Sequence, residues 1–333
     1  MSASPRIAVI GTGGTISSLG VDSLDVLDYG DTDRRLEADA LVARFTECSA
    51  VADVVPVRHA AVKSTALGPR EWLALAQLIH ATVVRERDLA GIVITHGTAT
   101  LEETAYFLNL TLKTDVPVVL VGAQRPATAL STDAGMNLIG ALRTAGSPAA
   151  RGKGVLVVLN DEIQAAREVT KTSTYRLQTF RSPDVGVLGH VDGDGVFFYR
   201  APLRRHAPDT EFSVDGRQDL PRVDIVLSYA GNDATAIEAA VAAGARGLVS
   251  AGFAPGMVTP AEQRALEEAR RKGIVVVQSS RAGSGRIAPR QYLQKTGILA
   301  ADNLNPQKAR ILLMLGLAHT KDPAELARMF AEY

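Results

Sequence analysis

With 333 residues, 36 Lys plus Arg and 36 Asp plus Glu, the chain carries no formal net charge, which removes any electrostatic case for nucleic acid or an anionic membrane as partner. Its single cysteine, Cys48, excludes an intramolecular disulfide and a thiolate zinc site. No stretch approaches the roughly 20 apolar residues that span a bilayer, and Met1 to Arg6 lacks a secretory apolar segment, so a cytoplasmic chain acting on a small uncharged or zwitterionic molecule is expected.

The first element is a buried strand over Arg6 to Gly11 that breaks into Gly13 and Gly14 and then presents Thr15. Glycines there let the backbone turn sharply and approach a ligand closely. A dinucleotide loop counted from Gly11 requires glycine where Ile16 stands, and no Lys-Ser/Thr pair makes a P-loop. Residues 17–33 carry Gly20, Gly30, five aspartates and one aromatic, Tyr29, and read as a surface loop. Helical spacing over Leu36 to Phe45 and a strand over Val51 to Val57 follow. A polar turn, Val62 to Pro69, leads into a helix with Pro69 in its first turn and Trp72, Leu75, Leu78 and Ile79 on one face.

Gly91 to Thr95 is another buried strand, ending in His96-Gly97-Thr98-Ala99-Thr100, where Thr100 and Glu103 have the spacing of a capping box. These hydroxyls stand at the carboxyl end of a strand, the place where open α/β sheets bind ligands. A strand over Val116 to Val121, a helix from about Ala134 to Thr144 and a strand over Gly154 to Leu159 repeat the alternation, which implies a mostly parallel sheet covered on both faces.

Residues 201–220, rich in proline and mixed charge and poor in apolar side chains, are the expected linker. Beyond it the alternation resumes with strand Val223 to Leu227, helix Thr235 to Ala243, strand Gly247 to Val249, helix Pro260 to Arg271 and strand Ile274 to Gln278. Two helices, from Asn305 and from Pro323, close the chain. The expectation is two α/β domains: a larger one over 1–200 with a mostly parallel sheet, and a smaller one over 221–333 with a flavodoxin-like parallel sheet.

Chemistry is carried by hydroxyls and one amine. The six histidines show no metal-ligand spacing, no Gly-x-Ser-x-Gly elbow occurs, and Glu47 and Ser49 supply no cation to activate Cys48. Thr15 and Thr98 sit at strand ends, and Lys171 lies in the polar stretch Glu168 to Thr174. Threonine is a weak nucleophile and needs a base; lysine serves once burial lowers its pKa enough to leave it neutral. Read by themselves, Thr98 is equally a helix-capping hydroxyl and Lys171 a solvated surface cation.

Gly11-Thr12-Gly13-Gly14-Thr15-Ile16 and Ile94-Thr95-His96-Gly97-Thr98-Ala99-Thr100-Leu101-Glu102-Glu103 together resemble the two signature motifs of the bacterial-type L-asparaginase and glutaminase-asparaginase family. The likeness extends through Gly122 to Pro126, Ser131 to Leu138, Val169 to Thr172 and Leu304 to Arg310, and so covers nearly the whole chain. The resemblance implies a cofactor-free hydrolase that cleaves a side-chain amide to a carboxylate and ammonia through an acyl-enzyme. It implies Thr15 as nucleophile, Tyr29 closing over substrate against it, and Thr98 with Lys171 as a second catalytic pair. Backbone N–H groups at the Gly97-Thr98 turn would stabilise the oxyanion, and Ser64 would hold the substrate α-carboxylate. A homo-oligomer, dimer or tetramer with sites at subunit interfaces, is implied as well.

The chain departs from that pattern around the substrate α-ammonium. Ala99 stands where the family has an aspartate, Thr65 where a glutamine is usual, Tyr292 near the place of a glutamate, and Asn232 is one residue from the family's asparagine. Three readings follow: an L-asparaginase whose ammonium contacts are rebuilt from Thr65, Asn232 or Asp233; an amidase or lactam hydrolase for substrates without a free α-ammonium; and a ligand-binding homologue impaired by a natural or introduced Ala99.

Overall fold

The computed structural model describes residues 4–333, so the first half of the segment Met1 to Arg6 lies outside the described residues. The chain divides into two compact units, Met1–Thr210 and Glu211–Tyr333. The division falls inside the segment 201–220, part of which is buried. In the first unit the Thr210 hydroxyl donates to Leu110 O at 2.6 Å. In the second, Phe212 and Val214 are buried, and the Phe212 ring lies 5.0 Å from that of Tyr333. Ala207 is buried as well, whereas Leu203 stays exposed.

In the first unit β1 (Arg6–Gly11) is followed by α1 (Ala38–Arg44), α2 (Cys48–Val51), β2 (Asp53–Val57), α3 (Pro69–Arg85), β3 (Gly91–Thr95), α4 (Leu101–Thr111), β4 (Val118–Val121), α5 (Ala134–Gly146) and β5 (Val155–Leu159). Every residue of β3, β4 and β5 is buried, because a parallel strand with helices on both faces has no solvated side to alternate toward. α3 starts as its sequence indicates, with Pro69 in the first turn and Gly68 N donating to Glu71 Oε2 at 2.9 Å. Its Trp72 stacks on Phe107 of α4 at 5.5 Å and donates from Nε1 to Thr104 Oγ1 at 2.9 Å.

Five short strands that periodicity does not reveal complete the unit: β6 (Glu162–Ala165), β7 (Thr170–Lys171), β8 (Phe180–Arg181), β9 (Gly189–Val191) and β10 (Val196–Phe198). β6, β9 and β10 extend the main sheet in antiparallel sense, while β7 and β8 form a separate ribbon. At two to four residues each they are too short to carry a readable pattern. The parallel part of the main sheet runs in the order β2-β1-β3-β4-β5. Strand order reverses between β1 and β3, and a crevice opens outside the carboxyl ends of strands at such a switch point.

The second unit holds β11 (Val223–Leu227), α6 (Thr235–Ala242), β12 (Gly247–Gly252), α7 (Pro260–Arg271), β13 (Val275–Ser280), α8 (Gln291–Thr296), β14 (Leu299–Ala300), α9 (Pro306–His319) and α10 (Pro323–Glu332). Its four strands are parallel and adjacent in chain order. α7 begins with a true capping box: Glu262 N donates to Thr259 Oγ1 at 3.2 Å, and Thr259 N donates to Glu262 Oε2 at 2.9 Å. The box expected at Thr100 and Glu103 does not form; the Thr100 hydroxyl donates instead to Ser64 O at 2.9 Å. That long-range bond ties the start of α4 to the turn before α3.

Candidate active site

β1 and β3 are parallel neighbours with Gly11 opposite Thr95, so the segments after them leave the sheet at the same edge. Gly13 and Gly14 have φ of 100° and 89°, a backbone region glycine adopts freely and other residues rarely. A Cβ on Gly14 would lie 2.2 Å from Gly97 Cα, and one on Gly97 would lie 2.7 Å from Ser64 Oγ. Three backbone segments therefore touch with no room for a side chain between them. Thr15 and Thr98, each one residue beyond a touching glycine, stand on one rim at the switch point.

Thr15 opens a single 3₁₀ turn, Thr15–Ser17, held down by the Ser17 and Ser18 hydroxyls, which donate to Gly14 O at 3.0 and 2.9 Å. Its Oγ1 lies 2.9 Å from the Tyr29 hydroxyl. The loop that carries Tyr29 organises itself: Asp22 Oδ1 accepts from Leu24 N and Asp25 N, and Asp25 Oδ1 accepts from Asp28 N. The aspartates that mark this stretch as a loop are its turn-makers. Gly20 N donates to Thr128 Oγ1 and Leu130 N to Ser23 O, both at 2.8 Å, which anchors the loop's first half.

Lys171 reaches the same rim from the β7–β8 ribbon and donates from Nζ to Thr98 Oγ1 at 2.7 Å. Burial lowers the Lys171 pKa from its ordinary value, which moves the neutral, proton-accepting amine toward physiological pH. The ribbon is held by buried Glu102, whose Oε1 accepts from Thr170 Oγ1 at 3.1 Å and from Lys171 N at 3.3 Å. Sequence reading passes over Glu102 as one of two acids in the first turn of α4. It instead positions the strand that delivers the lysine. Asp133 does similar work on the neighbouring Gly122 to Pro126 segment, accepting from Gln124 N and Arg125 N at 2.9 Å each.

His96 is wholly buried, with Nδ1 2.8 Å from Gly97 O. Burial, with a smaller contribution from His59, pushes its pKa down to about 4. In the unfolded chain the ring titrates near 6.5. Below that pH the unfolded state gains a proton that the folded state resists, so this group's contribution to stability is complete above pH 6.5 and falls between pH 6.5 and 4. The expected loss is about 3 kcal/mol at most. Urea unfolding of the protein and of His96→Asn across that range checks it: the variant loses the acid dependence that His96 supplies.

Ser64 is buried on a 3₁₀ turn, Ser64–Ala66, against Gly97, while Thr65 and Ala99 are exposed on the rim. Gly97 is buried between Gly14 and Ser64. Asn232 belongs to the second unit, where both hydrogens of its amide are engaged, by Leu227 O at 3.1 Å and Glu262 Oε1 at 2.7 Å. The expectation of a substrate-binding Asn232 therefore meets a side chain already used in capping its own unit. Tyr292, also there, donates to Glu267 Oε1 at 3.2 Å. Cys48 is buried, and its thiol is pushed up to about 11, which leaves it inert.

Two hydroxyls, a phenol and a half-buried amine at a strand-end crevice, with Thr98 N–H lacking a partner among the described residues, suit acyl transfer with oxyanion stabilisation. Residues 6–204 match the family model described as asparaginase, N-terminal, and residues 222–330 that of the glutaminase/asparaginase C-terminal domain. The chain is 42% identical over 329 residues to L-asparaginase 2 of Bacillus subtilis (strain 168), covering 99% of this chain and 87% of that protein. It is 40% identical over 331 residues to the glutaminase-asparaginase of Pseudomonas fluorescens biotype A, covering 98% and 90%. The crystal structure of a probable cytoplasmic L-asparaginase from Campylobacter jejuni superposes with a TM-score of 0.94 at 39% identity, covering 99% of this chain and all of that one.

Proposed function

The chain belongs to the asparaginase and glutaminase-asparaginase family, and from that premise we propose that it hydrolyses the side-chain amide of L-asparagine to L-aspartate and ammonia through a threonine acyl-enzyme. It is an amide hydrolase of the asparaginase kind. The observation that carries the proposed roles is the meeting of the Thr15–Tyr29 and Thr98–Lys171 pairs on one rim, across touching Gly14 and Gly97. Thr15 Oγ1 attacks the carboxamide carbon as its proton passes to the Tyr29 side. The oxyanion that forms is held by the Thr98 N–H. As the tetrahedral intermediate collapses, the proton from Thr15 is delivered to the leaving nitrogen, which departs as ammonia and leaves an ester on Thr15. Water, activated by Thr98 with neutral Lys171 behind it, then releases the carboxylate and restores the Thr15 hydroxyl.

Ser64 lies against Gly97, which supports it as a contact for the substrate's carboxylate end, and the exposed Thr65 next to it is a candidate contact for the α-ammonium. Ala99 can neither accept a hydrogen bond nor carry charge, so it offers nothing to an α-ammonium. Its side chain is exposed, and a carboxylate fits there without disturbing packing. Ala99→Asp is expected to raise kcat/KM for L-asparagine by about tenfold to a hundredfold, the worth of one hydrogen bond between charged groups. Ammonia release from L-asparagine, L-glutamine and a panel of simple amides, measured for both proteins, tests the substrate. Preference for an amide without a free α-ammonium, unchanged by Ala99→Asp, would replace L-asparagine with that class.

A homo-oligomer is part of the same proposal. Val21, Leu24 and Leu27 on the Tyr29 loop and Leu130 on the segment it bonds are exposed together, as an apolar patch awaiting a partner surface is. Light scattering reads the assembly. A cytoplasmic location is proposed on the likeness to the Campylobacter enzyme; no helix among the described residues is long and apolar enough to cross a membrane.

A further inference from the structure

The reaction just proposed asks the Gly97–Thr98 peptide to present its N–H to a developing oxyanion, and the following inference rests on that reading. A peptide unit is planar, so the Gly97 carbonyl and the Thr98 N–H move as one body. Gly97 O lies 2.8 Å from Nδ1 of wholly buried His96. A carbonyl only accepts, so Nδ1 carries the hydrogen and Nε2 is a bare acceptor. That Nε2 has no partner among the described residues. We propose that His96 is a positioning residue: its Nδ1–H sets the tilt of the Gly97–Thr98 peptide and, by polarising the carbonyl, strengthens the Thr98 N–H as an oxyanion donor.

Three observations carry this. Gly97 has no side chain with which to hold itself, and Ser64 and Gly14 close the space a Cβ would need, with Ser64 Oγ at 2.7 Å and Gly14 Cα at 3.1 Å. The peptide's tilt is therefore fixed by what binds its carbonyl. Thr98 N–H has no acceptor among the described residues, so polarising it feeds no competing bond, and hydrogen bonds in series reinforce one another in a low-dielectric site. Last, a buried ring nitrogen left unpaired is destabilising, so the polar function of this ring lies at Nδ1. Its pKa of about 4 keeps the ring neutral, with one fixed donor, throughout the range in which an amidase with a lysine base works.

The experiment compares His96→Asn, whose amide nitrogen occupies the place of Nδ1, with His96→Gln, whose amide reaches the place of Nε2. With the amide that the unaltered protein turns over, the Asn variant is expected to keep kcat within about threefold, while the Gln variant loses about tenfold to a hundredfold in kcat with KM changed by less than about threefold. The Thr98 amide resonance shifts in the Gln variant and not in the Asn variant. A Gln variant equal to the unaltered protein, or an Asn variant that falls as far as the Gln one, overturns the proposal. Should the Gln variant not fold, His96→Leu, which keeps the branching and has no donor, takes its place with the same expected loss. If no amide is turned over at all, the reading of the site fails, whereas the Thr98 resonance still decides whether His96 governs this peptide.

Discussion

Thr15→Val is expected to lower kcat by at least about 10⁴-fold, the scale on which removal of a catalytic nucleophile acts, while the protein stays folded. Valine keeps the branched shape of threonine and exchanges the hydroxyl for a methyl group, so the 3₁₀ turn pinned by Ser17 and Ser18 to Gly14 O is undisturbed. What is lost is the 2.9 Å contact with Tyr29, a partly buried hydrogen bond worth about 1 kcal/mol. Ammonia release measures the first effect and the urea midpoint the second. Intact-mass spectra after an acid quench with substrate show whether an acyl adduct forms. Turnover or an adduct retained in the variant assigns the attack to another group.

Lys171→Met is expected to cost about 10²- to 10⁴-fold in kcat, the usual contribution of a positioned acid-base group, and to change the shape of the pH profile. Burial lowers the pKa of this lysine, so its neutral fraction rises with pH and reaches a plateau below the pH at which a free lysine titrates. In the unaltered protein kcat therefore climbs with pH along a limb that belongs to Lys171. In the Met variant that limb disappears and the residual rate is flat over the same range. Methionine preserves the length and apolar body of the side chain and loses only the amine that donates to Thr98 Oγ1. A limb that survives the substitution belongs to another group and removes Lys171 from the mechanism.

Both predictions use residues whose importance reaches different depths in the chain. Thr15 is legible at once, because an apolar run that ends in three glycines and a hydroxyl has little to do except approach a ligand. Thr98 is legible in the same way from the strand Gly91 to Thr95. Lys171 is not, since a lysine in a polar stretch has the appearance of any solvated cation. What family resemblance implies for it has its physical ground in the two-residue pairing of β7 with β8, too short to leave a periodic trace. Glu102 and His96 escaped notice for a related reason: an acid in a first helical turn and a histidine after a strand each have an ordinary local explanation. Asn232 is a polar residue near a motif, and no spacing shows that its amide donates to Leu227 O and Glu262 Oε1.

The sequence by itself determined the longer parallel strands, most helices, the two α/β units and the hydroxyls at two strand ends, because each depends on apolar periodicity, glycine and proline within a few residues. Tertiary structure decided what those hydroxyls meet. Lys171 comes to Thr98 from 73 positions away, Thr100 leaves its own helix cap for Ser64, and Gly14 abuts Gly97 because strand order reverses between β1 and β3. Such partnerships are set by which strands lie side by side and which acceptors lie closest once they do, and no local spacing encodes either.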